Sequence, residues 1–287
     1  MISVRPLDRS QPRVPKYSEL PEWPIGAPWK GDGSVRGTRV RISHSLPCLY
    51  LNNRMLKTIE SITYDFQPGD VFIDVGGNVG AWTIEMLGLY NKVIFVDPSE
   101  AATKEAQQNI LTHCTYFNAP ELVNRVSYYR NLCSSVAGET HSIATTTTDS
   151  GNFSIYAEQL YGSENVVMAE KDIETIVLDS FIPQIPEGGK VLIKVDTEGC
   201  DLDVLLGASE LIKKFKPIIA VEMHWHMHFD QNKRDRLFGL LNSLGYTYAN
   251  YIFAAYVNNP DTLFDNVHTG KQLESLHFQL MMTPKED

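Results

Sequence analysis

Carboxylate and imidazole side chains follow two apolar segments of the chain, and these residue types could move a proton or hold a cation. Asp196 and Glu198 come after the run VLIKV, and Glu222 and His224 come after the run IIAV. Ligands of open α/β sheets bind beyond the carboxyl ends of the strands, so we expect these four side chains to meet at one cleft. A reaction at an alcohol oxygen needs a base or a metal, because the alcohol proton is bound about as tightly as that of water (pKa ~15.7). The four residues are therefore our candidates for orienting or deprotonating a hydroxyl.

The same region also has the residue types of a metal site. His224, His226 and His228 alternate, so in an extended chain they would project to one face. Spacing alone does not establish ligation, and an ordinary hydrogen-bonded imidazole fits each position as well. A metal is not predicted, and a divalent cation stays an alternative with Asp196, Glu222, His224 and His226 as its ligands.

A glycine turn between an apolar strand and a helix is the most informative segment. Val71-Phe-Ile-Asp-Val-Gly-Gly-Asn-Val-Gly80 brings backbone close to a nucleotide, although the dinucleotide fingerprint is only partly matched, with Gly76, Asn78 and Ala81 at its three positions. Asp74 at the mouth of the loop would repel a pyrophosphate and attract a cation. We therefore expect S-adenosylmethionine (SAM), whose sulfonium and ammonium are cationic and whose carboxylate can meet amides after Asn78.

Asp97 ends the next strand, 21 residues after Gly76, where a carboxylate can accept hydrogen bonds from both ribose hydroxyls. After the third strand, Asn131 and Cys133 stand where a polar group and an apolar surface could meet adenine, although Cys133 equally fits a small buried residue. The cofactor-binding candidates are Asp74, Gly76, Gly77, Asn78, Gly80, Thr83, Asp97, Pro98, Asn131 and Asp196.

The elements that must position these residues follow from the apolar pattern. From residue 70 onward, apolar β-runs alternate with helical segments, which predicts an α/β, doubly wound, Rossmann-like sheet. Strands are expected at 71–75, 93–96, 126–130, 191–195, 218–221, 246–253 and 275–282. Helices are expected at 79–90, 99–113, 201–215 and 231–244, with Ser99 as the N-cap of the second. The last two strands lack an evident helix between them, so this pair could be antiparallel.

Two regions depart from the alternation. Residues 1–64 carry seven prolines between Pro6 and Pro47, and residues 1–60 hold 10 Lys+Arg against 5 Asp+Glu, which predicts a Pro-rich basic arm with short strands at 35–43 and 49–51. The excursion from 131 to 190 contains TTTTDSGNFS (145–154), a run of turn formers without a period. We expect residues 65–287 to form the main domain, with a mobile lid inserted around 134–170 that selects the substrate.

Composition limits the partners. The formal net charge of −10 disfavours nucleic acid as a partner, and no apolar stretch of roughly 18 residues is present to span a bilayer. Basic residues at the start are not followed by the apolar segment of a secretory signal, so a cytoplasmic location is expected. Four cysteines without CxxC spacing favour reduced thiols.

Five segments resemble the FkbM-type SAM-dependent methyltransferases. They are IDVGGNVGAWT (73–83), FVDPSEAATKEAQQNI (95–110), IETIVLDSF (173–181), VLIKVDTEGCDLDVLLGASELI (191–212) and KPIIAVEMH (216–224). Order and spacing agree over residues 65–228, and KVDTEGCDLDVLLGA is the most specific segment. The chain departs from the pattern with GGN for the commoner GAN, Asp97-Pro98 for Glu-Pro, and Asp201 for Glu. Residues 1–64 and 134–170 lie outside the resemblance.

This resemblance implies a class I methyltransferase fold with a seven-stranded sheet of order 3-2-1-4-5-7-6, the last strand antiparallel, and O-methylation of a hydroxyl. By position it assigns the cofactor to Asp74, Gly76, Gly77, Asn78, Gly80, Asp97 and Asp196, and the acceptor to Glu198 and Glu222. Members of the family act on sugars, glycans and polyketide-like natural products.

We expect a saccharide or glycan acceptor, for example a deoxysugar such as rhamnose or fucose. Carboxylates pair with vicinal hydroxyls, and the Trp225 indole can cover the apolar face of a sugar ring. The alternatives are a small natural product as acceptor, an NAD-dependent oxidoreductase, and a non-catalytic binding module whose arm recruits an acidic partner. The sequence does not fix the oligomeric state, and the chain could be a domain of a larger polypeptide.

Overall fold

A computed structural model gives the architecture of the chain. It describes residues 5–6, 32–35, 38–41, 64–65, 69–116, 119–146, 154–158, 162–224, 230–250, 255–257 and 277–285.

A mixed sheet forms the centre of the molecule. Its strands are β5 (Gly69–Val75), β6 (Tyr90–Val96), β7 (Val126–Tyr129), β11 (Val191–Val195), β12 (Ile218–His224), β13 (Tyr246–Asn250), β14 (Ala255–Val257) and β15 (His277–Pro284). The spatial order is β14-β13-β15-β12-β11-β5-β6-β7, and β15 is antiparallel to both neighbours. The predicted order 3-2-1-4-5-7-6 with an antiparallel last strand is confirmed, and the described part adds β14 at the edge.

Strands β7, β6, β5, β11 and β12 are all parallel, and the inner strands β5, β11 and β12 have the nearly continuous apolar sequences typical of a sheet covered on both faces. Side chains alternate between the two faces of the sheet. Val71, Ile73 and Val75 belong to one buried cluster, whereas Phe72 belongs to the cluster on the opposite face. The carboxyl ends of β5, β6, β7 and β11 therefore lie at one edge of the sheet, and apolar clusters pack on both of its faces.

Five helices lie in the described part of the chain: α1 (Ala81–Met86), α2 (Glu100–Tyr116), α3 (Asp201–Leu206), α4 (Ser209–Phe215) and α5 (Gln231–Ser243). The predicted cap of α2 is confirmed, since Ser99 Oγ accepts a hydrogen bond from the Ala102 amide at 3.2 Å. Helix α1 is shorter than predicted, because the chain turns at residues 87–89, where Gly88 is a poor helix former. Short 3₁₀ segments occur at Pro120–Arg125, Ser163–Asn165 and Leu178–Gln184.

The predicted single helix 201–215 is wrong, because it is interrupted at Gly207. A Cβ atom at Gly207 would lie 2.1 Å from the Ser134 carbonyl oxygen, so only glycine permits this approach. The second helix then needs its own start, and the Asp179 carboxylate accepts hydrogen bonds from the Glu210 and Leu211 amides. Helices α3 and α4 are therefore separate elements.

Much of the excursion between β7 and β11 is a small sheet rather than irregular loop. Strands β8 (Leu132–Cys133), β9 (Thr140–Thr146) and β10 (Val166–Ile176) pair in the order β8-β10-β9. The prediction of an aperiodic lid is therefore corrected for residues 140–146 and 166–170, while residues 147–153 of the TTTTDSGNFS stretch lie outside the described residues. We name β8, β9 and β10, together with the segment 154–158 that is bridged to β9 at Ala144, the excursion sheet.

Near the amino terminus, β1 (Arg5–Pro6) pairs with β4 (Tyr64–Asp65), and β2 (Asp32–Val35) forms a hairpin with β3 (Thr38–Arg41). The predicted strand at 49–51 lies outside the described residues. The three cysteines in the described part are buried free thiols, as expected. Among the helices described above, none is both long and apolar enough to span a membrane.

Candidate functional site

A cleft opens at the carboxyl edge of the sheet. It is bounded by the turn after β5, the ends of β6 and β7, strand β8, a segment of the excursion sheet, and the loop after β11. The residues that line it are Val75, Gly76, Asn78, Val96, Asp97, Pro98, Asn131, Leu132, Cys133, Ser154, Ile155, Asp196, Thr197, Glu198 and Cys200. Of the ten predicted cofactor residues, this set contains Gly76, Asn78, Asp97, Pro98, Asn131 and Asp196.

Asp97 is fixed in the cleft by two backbone donors. Its Oδ2 accepts from the Asn78 amide at 2.8 Å and its Oδ1 accepts from the Ser99 amide at 2.9 Å. Burial raises the pKa of Asp97 from 3.8 to about 6, against the lowering effect of these two hydrogen bonds and of the Lys194 charge. Each carboxylate oxygen has a second lone pair, so the pair can still accept hydrogen bonds from a ligand.

The glycine turn is built by close contacts. Gly76 has a φ of +68°, and a Cβ there would lie 1.8 Å from the Asp196 carbonyl oxygen, so the turn packs directly on the loop after β11. A Cβ at Gly77 would lie 2.2 Å from the Phe95 ring. Gly80, with a φ of +84°, packs against Ala106 of α2. Gly77 and Gly80 thus shape the turn without lining the cleft.

Asp74 does not face the cleft, which corrects the prediction that it attracts a bound cation. Its side chain is fully buried, and Thr83 donates a hydrogen bond from Oγ1 to Asp74 Oδ2 at 2.7 Å. Thr83 is equally buried, so this predicted cofactor residue is instead the partner of Asp74. The cation that Asp74 meets is one of the protein's own.

That cation is Lys194, which the sequence analysis did not assign. Its Nζ donates to the Gly76 carbonyl oxygen at 2.8 Å and lies 3.5 Å from both Asp74 Oδ1 and Asp196 Oδ2. Burial lowers the pKa of Lys194, but the charges of Asp196, Asp74, Glu222 and Asp97 outweigh burial and raise it above its ordinary value. The ammonium therefore joins the glycine turn, β5 and β11.

The sequences of β5 and β11 contain a signal for the pairing of Lys194 with Asp74. The runs VFIDV and VLIKV are apolar except for one charge each, of opposite sign and at the same position of neighbouring parallel strands. A lone charge in a buried strand requires a partner, and the neighbouring strand supplies it.

The loop after β11 brings two of the four predicted catalytic residues into the cleft. Asp196 and Glu198 both line it. Glu198 has a φ of +50°, a left-handed conformation that is unusual for a residue other than glycine. The Asp201 side chain stabilises this loop, because its Oδ1 accepts hydrogen bonds from the Thr197 amide at 3.0 Å and from the Thr197 hydroxyl at 2.7 Å.

The other two predicted catalytic residues are placed differently. Glu222 lies on β12 and Asp196 follows β11, each one residue beyond the Val195–Val221 register pair. Glu222 acts on the pKa of Lys194 but is not among the described residues that line the cleft. The His224 backbone ends β12, while its side chain, Trp225, His226 and His228 lie outside what is described. Within the described ranges, no three metal-ligating side chains come together.

Two cleft residues, Ser154 and Ile155, come from the excursion sheet and were missed. Ser154 is buried, and its Oγ donates to the Glu198 carbonyl oxygen at 2.7 Å. No local pattern in TTTTDSGNFS distinguishes this serine from its polar neighbours.

A family model matches most of the part of the chain that forms the central sheet. The family model of the methyltransferase FkbM domain matches residues 74–248, more than half of the chain. No curated protein matches the chain significantly.

Among solved structures, a methyltransferase FkbM from Methylobacillus flagellatus KT is 17% identical, with a TM-score of 0.43, and covers 76% of this chain and 44% of its own. This chain therefore spans less than half of that protein. A candidate methyltransferase from Streptococcus mutans, solved in complex with SAH, is 10% identical over 76% of this chain and 90% of its own, with a TM-score of 0.41. An rRNA methylase from Streptococcus thermophilus is 12% identical over 84% and 98%, with a TM-score of 0.38.

These structural overlaps are too low to carry an argument about cofactor or substrate. The family match is stronger evidence, because one alignment covers the glycine turn, Asp97, Lys194 and the loop after β11. The chain belongs to the FkbM methyltransferase family.

Proposed function

We propose that the protein is a SAM-dependent O-methyltransferase that acts on a hydroxyl of a sugar or glycan residue. The observation that carries the cofactor assignment is Asp97, a buried carboxylate at the cleft whose two oxygens are fixed by the Asn78 and Ser99 amides. Such a group can accept hydrogen bonds from a vicinal diol, which a ribose presents.

The donor set of the cleft fits an adenosyl cofactor with a cationic end. Asp97 follows the end of β6, and Val96, Pro98, Leu132 and Cys133 add apolar atoms to the lining of the cleft. Asp196 and Glu198, from the loop after β11, form an acidic rim, and this rim suits an ammonium and a sulfonium. When bound, SAM supplies an electrophilic methyl group on sulfur.

The chain's own residues would contribute position and charge. The Asn78 and Gly76 backbone, held by Asp97 and Lys194 respectively, keeps the turn at a fixed distance from the loop after β11. Asp196 is paired with Lys194, so it is stabilised as an anion that can bind an ammonium. Glu198, a carboxylate that lines the cleft, is our candidate to accept the proton of an acceptor hydroxyl, and Glu222 on the neighbouring strand is the alternative.

A saccharide acceptor is supported by the polar character of the rim. Asp196, Thr197 and Glu198 offer acceptors and donors to adjacent hydroxyls, whereas a polyketide-like natural product would favour an apolar entrance. The oxidoreductase alternative is not retained, because the chain belongs to a methyltransferase family. A cytoplasmic location and the absence of nucleic-acid and membrane partners stay predictions.

Two measurements test this proposal. One follows transfer of a labelled methyl group from SAM to the methyl glycosides of rhamnose and fucose, and the other measures SAH binding by calorimetric titration. We expect SAH to bind and label to appear in a glycoside. Glu198→Gln should reduce the transfer rate by about 10²-fold or more, which is a larger factor than the one by which it weakens SAH binding. Transfer to an apolar polyketide hydroxyl alone would overturn the saccharide assignment, and a folded protein that binds neither SAM nor SAH would overturn the cofactor assignment.

A further inference from the structure

The buried serine Ser154 reaches the loop that carries two acidic residues of the cleft. We name this loop, residues 196–200, the rim loop. We propose that Ser154 is a positioning residue for Glu198: its hydroxyl holds the backbone of Glu198 in the left-handed conformation, so that the carboxylate keeps its direction in the cleft. This inference rests on Glu198 as the proton acceptor of the proposed function. It assigns a role to a residue outside the segments that resemble the family.

The backbone conformation of Glu198 requires support from its surroundings. Glu198 has a φ of +50°, and Gly199, which follows it, has a φ of +110°. A residue other than glycine rarely adopts a positive φ, because its Cβ atom then lies too close to the backbone, and it keeps such a conformation only where neighbouring groups fix it. The direction of the side chain follows from the backbone conformation. A change at residue 198 would therefore turn the carboxylate to a different part of the cleft.

Ser154 provides this support through one directed hydrogen bond. Its Oγ donates to the Glu198 carbonyl oxygen at 2.7 Å and accepts from the Tyr156 amide at 3.0 Å. A serine hydroxyl has a single hydrogen, and the Tyr156 amide occupies one of its lone pairs, so the hydrogen is directed to Glu198. The bond fixes the carbonyl group, and the peptide plane between Glu198 and Gly199 cannot rotate without breaking it.

The excursion sheet holds Ser154 in place. Ser154 is only 2% exposed, and its amide and carbonyl pair with Ala144 of β9 at 2.9 and 3.0 Å. Ala144 is in turn in register with Met168 of β10. The support for Glu198 therefore comes from paired strands that lie far from the rim loop in sequence.

Other hydrogen bonds of the rim loop act on the residues before Glu198. The Asp196 amide donates to the end of β5 at 3.1 Å, and Thr197 donates to Asp201 from both its amide and its hydroxyl. Neither attachment restrains the peptide plane that follows Glu198, whereas the Ser154 hydroxyl does. Loss of this hydroxyl should therefore affect Glu198 more than it affects Asp196.

Methyl-transfer kinetics separate positioning from a general loss of stability. Ser154→Ala should lower the rate of transfer from SAM to methyl rhamnoside or methyl fucoside by about tenfold, a larger factor than the one by which it weakens SAH binding. In the Glu198→Gln background, the same substitution should lower the remaining rate by less than about threefold, because the carboxylate that Ser154 positions is already absent. An equal factor in the two backgrounds would overturn the inference.

A second serine provides the matched control. Ser209 also donates from its hydroxyl to a backbone carbonyl, that of Leu206 at 2.6 Å, but it is not among the residues that line the cleft. Ser209→Ala should leave the transfer rate unchanged in both backgrounds.

Hydrogen exchange tests the support of the rim loop without an acceptor substrate. Ser154→Ala should speed the exchange of the amides at 197–200 by about tenfold, whereas Ser209→Ala should not change it. If Ser154→Ala fails to fold, Ser154→Cys gives the same comparison, because a thiol is a weak donor. Unchanged exchange at 197–200 in the folded variant would overturn the inference. If wild type binds SAH but methylates neither glycoside, the proposed acceptor is wrong, which is a different result that leaves the exchange measurement decisive for Ser154.

Discussion

Lys194 and Asp74 occupy paired positions of two neighbouring parallel strands. Lys194 Nζ lies 3.5 Å from Asp74 Oδ1, and both side chains are buried. The same ammonium donates to Gly76 and lies beside Asp196. A charge inside the protein therefore balances the acids beneath the cleft. Asp74, which the sequence suggested as a ligand for the cofactor, interacts instead with Thr83 and Lys194 of the protein itself.

Removal of this cation should destabilise the protein strongly. Lys194→Met leaves Asp74 buried without its counter-charge, and we expect a loss of about 3–5 kcal/mol in the free energy of unfolding, measured by urea titration. Because the pKa of Lys194 is raised, its stabilisation is complete below the ordinary lysine pKa and is lost only as the pH rises through the higher folded value. The difference between variant and wild type should therefore not shrink as the pH rises from 6 to 9.

A second substitution tests whether charge balance is the cause. Asp74→Asn in the Lys194→Met background removes the uncompensated anion and should recover at least about 1 kcal/mol, because residues in contact do not behave additively. Strict additivity of the two single variants would contradict the pairing.

Acid should weaken cofactor binding through Asp97. Its pKa of about 6 means that the carboxylate is protonated below this pH and loses an acceptor for the ribose hydroxyls. We expect the Kd for SAH to rise about tenfold between pH 7 and pH 5, followed by calorimetry. The pH dependence should be absent in Asp97→Asn, which should bind weakly at both pH values.

The raised pKa of Asp97 has the opposite effect on the stability of the ligand-free protein, which is favoured by acid. The folded chain holds the Asp97 proton more tightly than the unfolded chain, so the contribution of Asp97 to stability is complete below pH 3.8 and is lost as the pH rises through 6. The unfolding free energy of Asp97→Asn relative to wild type should thus fall as the pH falls from 7 to 5.

The GGN turn should resist conversion to the commoner GAN. A Cβ at position 77 would meet the Phe95 ring at 2.2 Å, so Gly77→Ala should cost about 1–3 kcal/mol by overpacking. Phe95→Leu provides space, and the double variant should be more stable than the sum of the two single effects by at least about 0.5 kcal/mol. Thermal or urea unfolding of the four proteins measures this coupling.

The rim loop should depend on the Asp201 acceptor rather than on its charge. Asp201→Ala leaves the Thr197 amide and hydroxyl without their shared partner, and we expect a loss of about 1–3 kcal/mol in unfolding free energy. Asp201→Asn keeps an acceptor oxygen and should lose less than half as much. Equal losses in the two variants would show that the hydrogen bonds are not responsible.

The parallel strands were predictable, because buried strands such as VFIDV and VLIKV are recognised by their composition alone. The break between α3 and α4 was not, since it depends on the Ser134 carbonyl pressing on Gly207 from a segment far away in sequence. The excursion strands β9 and β10 are rich in polar residues, and their pairing comes from each other rather than from an apolar period. Contacts of this kind are set by tertiary packing, which local patterns do not record.

The site was predictable where position on a strand decides it. Gly76, Asp97 and Asp196 follow strand ends, and the structure places them around one cleft. Asp74 and Thr83 were assigned to the cofactor because proximity along the chain does not reveal which face a side chain takes. Ser154 and Ile155 required the three-dimensional path of the excursion sheet, which the sequence does not give.

The walls of the cleft are drawn from five separate stretches between residues 75 and 200. The turn at Gly76 packs against the Asp196 carbonyl. Asp196 is synthesised only after the whole excursion between β7 and β11. A nascent chain that ends before β11 therefore lacks one wall of the cleft. A ligand bound in this cleft would stabilise only chains whose synthesis has passed β11 and the loop that follows it.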